Sequence, residues 1–404
     1  MDPIVLAIFG VVYFGMLLGE IPWLALDRAG VALLGTIALI ATGHISPESA
    51  WEGVDVPTIM LLFGLMVVSA QLRLSGFYAA LVHRLAEVEA SPERLLALLV
   101  VAAGGLSALL ANDIVCLAMA PVLVEACARR GLNPTPFLLA LACAANVGSA
   151  ATLIGNPQNM LIGQTLHLSF TAYLWMAGPP VLLGLIVVWW VVRRQTGKAW
   201  RKSIPIPAVT AAPFDAWQTG KGLVVLSLLV LAFFTTHWPR DVLALTAAGL
   251  LLTSRSMASR DLLGYVDGQL LVLFVGLFVV NHVFAASGML DSFTHTLEYA
   301  GVDLAHPTWL FAVTVLFSNL VSNVPAVMLL LPVATHPLDG PVLALASTLA
   351  GNLLIAGSLA NVIVVEQAAQ LNIRISWKEH ARVGVPVTLL TLAFAAGWLW
   401  LSGG

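Results

Sequence analysis

Apolar residues run along this chain in long blocks, separated by short polar or glycine-rich gaps. Many blocks approach the ~20 residues that a helix needs to cross a bilayer. They predict crossings near 3–19, 29–43, 56–72, 134–166, 171–192, 221–237, 241–254, 268–286, 340–371 and 383–402. Two further segments, 93–128 and 307–336, read as re-entrant hairpins that enter and leave on one side. The blocks 134–166 and 340–371 are too long for one plain helix, and glycine-rich polar stretches interrupt both, so each is expected to be a broken helix. The expected fold is an all-α polytopic membrane protein.

Composition agrees. The 404 residues are 59% hydrophobic and 10% charged, where a soluble domain carries roughly 25% charge. The first block, 4–18, lacks a basic leader and a small-residue cleavage site, so it is expected to be a retained helix. Cys116, Cys127 and Cys143 are too scattered for a disulfide framework or a zinc ligand set. No basic patch suggests nucleic acid, and no phosphate-cradling glycine loop with lysine suggests ATP as the direct energy source. No nucleophile–base pairing suggests an enzyme.

The basic residues orient the chain. With the N-terminus outside, Arg28, Arg73, Arg84, Arg94, Arg129, Arg130, Arg193, Arg194, Lys198, Arg201, Lys202, Lys221, Arg255, Arg260, Arg374, Lys378 and Arg382 all fall on the cytoplasmic side. Arg240 alone falls outside, and these are all 18 lysines and arginines. So lopsided a division satisfies the positive-inside rule and puts both termini on the outer side of a bacterial-type inner membrane.

The chain also repeats itself. Residues 62–68 align with 274–280, and Ser75-Gly76 with Ser287-Gly288, at an offset of 212. Asn112 aligns with Asn323 and Pro121 with Pro332 at 211, and Gly155 and Asn159 with Gly357 and Asn361 at 202. The expected organisation is a first repeat over 1–192, a cytoplasmic linker over 193–220 and a second repeat over 221–404. Each repeat has five crossings, one of them broken, plus one hairpin. Five is odd, so the second repeat inserts upside down, an arrangement suited to a transporter that alternates access to a midplane site.

Polar groups inside these blocks mark that site, since lipid cannot hydrogen-bond to them. The first hairpin tip is Ala111-Asn112-Asp113. Asp113 is the one carboxylate expected at mid-membrane depth, because Glu125 lies beside Arg129 and Glu366 leans toward Arg374. It is either the proton or cation coupling group or a static helix cap. The second tip contains Asn319, Ser322, Asn323 and Pro325, and its amides and hydroxyls can orient a solute. The breaks contribute Asn146, Thr152, Gly155, Asn156 and Asn159 from the first repeat, and Asn352, Gly357, Ser358 and Asn361 from the second. Carbonyls and amides freed there can hold a cation or face a polar solute. Asn281-His282 reads as packing polarity. With no basic side chain expected at the midplane, a neutral polyhydroxy solute is accommodated more easily than a multiply charged anion.

These residues resemble the ion transporter superfamily that includes the arsenite permease ArsB, the sodium/proton antiporter NhaD and the divalent anion/sodium symporters. Ala111-Asn112-Asp113 is similar to the first hairpin tip of ArsB-type permeases, and 319–325 to their second. Residues 152–159 resemble the Gly-x-Pro-Pro-Asn loop of the superfamily, with Gln158 in place of the second proline. The Ser-Asn-Thr tips of the divalent anion symporters are absent. The resemblance implies efflux of arsenite or antimonite in exchange for protons, with no bound cofactor and with protons or sodium as coupling ions. It further implies a transport domain that moves against a scaffold. Several relatives are homodimers, and some work with a cytoplasmic ATPase. A sodium/proton antiporter, a small-anion (carboxylate-type) carrier and a channel-like facilitator stay open as readings of the same residues.

Overall fold

The computed structural model describes residues 2–19, 24–201 and 213–403. The first half contains α1 (Pro3–Leu18), α2 (Arg28–Ala41), α3 (Pro47–Glu52), α4 (Val56–Leu74), α5 (Phe77–Glu87), α6 (Pro92–Leu109), α7 (Asn112–Arg129), α8 (Pro134–Ser149), α9 (Pro157–Thr165) and α10 (Phe170–Thr196). The second contains α11 (Ala216–Thr235), α12 (Arg240–Leu252), α13 (Ser259–Leu263), α14 (Gly268–Ala286), α15 (Met289–Tyr299), α16 (Pro307–Val321), α17 (Asn323–Leu330), α18 (Asp339–Ala350), α19 (Leu359–Gln370) and α20 (Trp377–Gly403). The two series match element for element. By length and composition α4, α6, α10, α11, α14 and α20 suffice to cross a membrane.

Local chemistry sets the ends of these helices. Asp27, Asp55 and Asp267 cap α2, α4 and α14 by accepting the amides of Gly30, Thr58 and Leu270 at 2.8, 3.0 and 2.9 Å. Proline occupies the first turn of α1, α4, α6, α8, α9 and α16, where its missing N–H costs nothing. The predicted breaks are present. α8 and α9 are separated by 150–156, and α18 and α19 by a stretch holding a short 3₁₀ turn, Ile355–Gly357.

Packing is symmetric about the two halves. α2 crosses α14 as α12 crosses α4. A Cβ on Gly64 would lie 2.6 Å from the carbonyl carbon of Ala244, and one on Gly276 would lie 2.8 Å from that of Ala32. Gly64 and Gly276 are 212 positions apart, as are Ala32 and Ala244. Without a hydrophobic drive between helices in lipid, such small-residue contacts are what lets backbones touch. At the centre lie α8 and α18, buried along almost their whole lengths, with α6, α10, α16 and α20 around them.

The structure departs from the sequence reading in four places. The amphipathic helices α5 and α15 and the short α3 and α13 were not expected, because none contains a long apolar run. α11 begins at Ala216, ahead of the expected 221, since Asp215 caps it and Gln218 and Thr219 are buried against Gln71 of α4 and Ser75 just after it. α20 begins at Trp377, ahead of 383, because Ser376 and Glu379 form a reciprocal capping box. α6 is long enough to cross by itself. The tip beside it is nevertheless tied to the break after α8, Asn112 N donating to Gly155 O at 3.2 Å. Of the expected linker, 202–212, including Lys202, lies outside the described residues.

Valine at Gly64 or Gly276 drives a branched side chain into a neighbouring backbone, which no rotamer relieves. Overpacking of this kind costs about 1–3 kcal/mol. Either variant should melt several degrees lower than the parent in detergent-based thermal size-exclusion, whereas Gly10→Ala, with open space around its Cβ, should melt with it.

Candidate functional site

The two breaks satisfy each other's polar groups. Asn146, on the last turn of α8, accepts at Oδ1 from Ser358 Oγ at 2.8 Å and from Asn112 Nδ2 at 3.2 Å. Its amide donates to Asn352 Oδ1 at 2.8 Å and Asn361 Oδ1 at 3.1 Å. Thr348, on α18, plays the same part for the other half. Its hydroxyl accepts from Asn156 Nδ2 and Gln158 Nε2, both at 3.2 Å, and donates to Asn159 Oδ1 at 3.3 Å. Asn159 and Asn361 then each close their own break, donating to Thr152 O at 2.9 Å and to Leu354 O at 3.0 Å.

At the offset of 202 shared by Asn156/Ser358 and Asn159/Asn361, the counterpart of Asn146 is Thr348. The sequence reading opened the second element at Asn352, and the offset corrects it. Asn352 is held from behind: His380 Nε2 of α20 donates to its carbonyl at 3.0 Å. Gly155 is required at its position, since a Cβ there would lie 2.3 Å from Ser149 O and 2.6 Å from Ser107 O.

In front of this network lies a cavity of about 450 Å³. Both hairpin tips reach it, with Asn112 and Asp113 from α7 and Ser322, Asn323, Val324 and Pro325 from the second tip. Pro157 and Gln158 of α9 and Ser358 at the start of α19 complete the inner wall. The mouth is formed by Gly19 after α1, Asp27 and Arg28 at the start of α2, and Asp267 and Gln269 at the start of α14. A second cavity of about 90 Å³ shares Asp113 and Asp267 and extends to Arg73, whose guanidinium lies 4.4 Å from the centre of the Tyr265 ring.

Several groups on the wall are unspent. Asn112 Oδ1 and Asn323 Oδ1 are buried with no hydrogen-bond partner, and so is Arg28 Nε. α7 has no side-chain cap, so the static-cap role weighed for Asp113 is not what the structure shows. Ser322 stands at φ 75° and ψ 162°, a region that only glycine enters freely, and this turns its hydroxyl-bearing residue between α16 and α17 toward the cavity.

Of the residues singled out in the sequence, Asn112, Asp113, Ser322, Asn323 and Ser358 share this one cavity. Gly155, Asn156, Asn159, Gly357 and Asn361, and with them Asn146, Thr152, Asn319 and Asn352, lie behind its wall. Most of their amides and hydroxyls are taken up by the protein's own groups: Thr152 Oγ1 donates to Ala108 O at 2.5 Å and Asn319 Nδ2 to Val315 O at 3.0 Å, while Asn319 Oδ1 and Asn352 Nδ2 are buried without a partner. The sequence reading missed Arg28, Gln158, Asp267, Thr348 and His380. The repeat offset points to Thr348; nothing local in the sequence points to Asp267 or His380, Arg28 enters only the charge balance and Gln158 only the 152–159 loop. Asn281 is a packing residue as expected, accepting from Tyr13 OH at 2.7 Å and donating to Leu277 O at 2.8 Å.

Two substitutions probe this site. Thr348→Val strands the amide nitrogen of Gln158 and the amide oxygen of Asn159, a loss of about 1–3 kcal/mol, and should lower the melting temperature and transport together, while Thr348→Ser keeps the hydroxyl and stays near the parent. Ser322→Gly removes the backbone strain and should melt higher, but with slower transport because the hydroxyl is gone. Equal or faster transport by the glycine variant counts against a role for that side chain.

The sequence profile of the citrate transporter family, CitMHS, matches residues 4–350. A Mycobacterium tuberculosis protein named only as an uncharacterized transporter is 30% identical over 401 residues, covering 93% of this chain and 94% of its own. The silicon efflux transporter of Oryza sativa is 28% identical over 464 residues, covering 95% of each chain. Inner membrane protein YbiR of Escherichia coli is 30% identical over 342 residues, covering 83% and 85%. Among solved structures, the YdaH transporter of Alcanivorax borkumensis superposes with a TM-score of 0.62 over 99% of this chain and 97% of that one, at 15% identity, a likeness of fold. Spans, paired hairpins, broken helices and these relatives agree: the chain is a multi-pass membrane transporter and belongs to the citrate transporter family.

Proposed function

We propose that this protein is a secondary active transporter that exports a small neutral polyhydroxy solute, with arsenite and antimonite as the favoured cargo, in exchange for protons. One observation carries the reading: Asn112 Oδ1 and Asn323 Oδ1 are buried, unpaired acceptors from the two hairpin tips on one cavity. An orphan acceptor is costly until a donor meets it. The neutral hydroxides of trivalent arsenic and antimony present O–H donors, whereas a fully ionised carboxylate has none to offer. The lining also holds Asp27, Asp113 and Asp267 against Arg28 alone, a balance that repels multiply charged anions. The silicon efflux relative fits the same chemistry, since dissolved silicon is also a neutral hydroxide.

Asp113 lies between both cavities and is the proton-exchanging group of this proposal, while Asn112, Asn323, Ser322 and Ser358 hold the solute. The cavity mouth is formed by the ends of α1, α2 and α14. On the charge-based topology these ends are cytoplasmic, which suits loading for export. A second reading, a small-anion carrier, draws on the unpartnered Nε of Arg28.

Everted membrane vesicles discriminate between these readings. An imposed pH gradient, acid inside, should drive arsenite and antimonite uptake by the parent protein, and Asp113→Asn should lose the gradient-driven part while remaining folded. Undiminished proton-driven uptake by that variant would exclude Asp113 from coupling. Sodium-driven alkalinisation without arsenite flux would point to a sodium/proton antiporter, and uptake abolished by excess citrate would favour the anion reading.

A further inference from the structure

The two broken helices end alike. At the end of α9, Leu168 N donates to Gly163 O at 3.2 Å, and His167 stands at φ 50°. At the end of α19, Ile373 N donates to Ala368 O at 2.8 Å, and Asn372 stands at φ 61°. Each cap spans the same five-residue step, so Gly163 corresponds to Ala368, Thr165 to Gln370 and Leu168 to Ile373, at an offset of 205. The step from 202 to 205 is the three extra residues of α19 (12 against 9).

The cap of α9 is clasped by one group from each half. Arg240, the first residue of α12, donates through Nη2 to Gly163 O at 3.2 Å and Leu168 O at 2.5 Å. Asp55, the cap residue of α4, accepts from Thr165 Oγ1 at 3.3 Å. A guanidinium on the carbonyl end of a helix also opposes its dipole.

The repeat supplies the same two groups to the other cap. Arg28 is the first residue of α2, 212 positions before Arg240. Asp267 caps α14, 212 positions after Asp55, with nearly identical backbone angles (φ −74°, ψ 87° against φ −75°, ψ 86°). Among the described residues neither holds the α19 cap. Both face the open cavity, which α19 borders with Leu359 and Val362. Arg28 Nε is buried without a partner, and Asp267 is exposed where Asp55 is half-buried.

We propose that Arg28 and Asp267 are the second clasp of a two-sided gate. When the cavity closes, Arg28 engages the carbonyls of Ala368 and Ile373, and Asp267 engages Gln370, while Arg240 and Asp55 release α9. The small side chain of Ala368 permits the approach that Gly163 permits on the other side, where a Cβ would lie 3.1 Å from Arg240 Nη1. Each arginine therefore stabilises the state closed on its own side. The proposal rests on the alternating-access reading above but not on the identity of the cargo.

Its test needs no substrate. Cys116, Cys127 and Cys143 are replaced, and Gln269 on the cavity mouth is changed to cysteine. Alkylation of that thiol by a membrane-impermeant maleimide is then timed in vesicles of the orientation that exposes it. Arg240→Gln removes the present clasp and should slow labelling by about threefold to tenfold, the weight of a partly exposed charge-assisted hydrogen bond. Arg28→Gln removes the opposing clasp and should speed labelling or hold it at the parental rate. The double variant should label within about twofold of the parent, since the two losses oppose each other. Monodispersity of each variant by size-exclusion separates a shifted gate from a failed fold. Labelling that both single variants change in the same direction, or that Arg240→Gln leaves unchanged in monodisperse protein, overturns the proposal.

Discussion

Everything in this molecule answers to one constraint: lipid accepts and donates no hydrogen bonds. A helix broken at membrane depth frees backbone groups that must be met inside the protein. Here each half meets the needs of the other. Asn146 of the first repeat holds Ser358, Asn352 and Asn361 of the second, and Thr348 of the second holds Asn156, Gln158 and Asn159 of the first. Neither break can be built alone. The reciprocity explains why α8 and α18 are buried almost throughout, and why α6, α10, α16 and α20 gather around them. It also ties the inner wall of the cavity together across the two halves, as the proposed alternating access would need if whole bodies move against each other.

The repeats share a scaffold but not a chemistry. At the tips, Asn112 and Asn323 are true counterparts, and each presents an unpaired amide oxygen. The next residue differs: Asp113 in the first half, Val324 in the second. At the breaks, Asn156-Pro157-Gln158-Asn159 faces Ser358-Leu359-Ala360-Asn361. The first half therefore contributes the acid and the extra amide, and the second contributes hydroxyls. A symmetric frame with an asymmetric lining can reverse its access without reversing what it binds.

Much of this was legible in the chain. The repeat offsets, the polar islands and the glycine-rich interruptions located both hairpins and both breaks, because each violates a rule that lipid enforces strictly. What stayed hidden obeys weaker rules. Asp55 and Asp267 carry no signal in the sequence beyond that of a helix cap, and caps they are; the further contact of Asp55, with Thr165, depends on which helix lies opposite. His380 sits in an unremarkable helix start and acts only through the carbonyl of Asn352. Separating wall from foundation was also beyond the sequence. Asn156, Asn159 and Asn361 are as polar as Asn112, and only the fold shows that their amides are turned inward to close the breaks.

Ser322 shows most sharply how function presses on this frame. Its φ of 75° with ψ of 162° belongs to a region that costs a non-glycine residue of order 1–3 kcal/mol. The repeat counterpart, Ala111, sits at φ −56° and ψ 121°, so a hairpin tip does not itself demand the strained geometry. Glycine would relieve it, and glycine is abundant in this chain, with 33 copies. A serine held there places a hydroxyl on the cavity beside Asn323. Under the proposed function the balance is explained if that hydroxyl is worth more to transport than the stability it forgoes, which is why the proposal sets the second tip among the groups that meet the cargo.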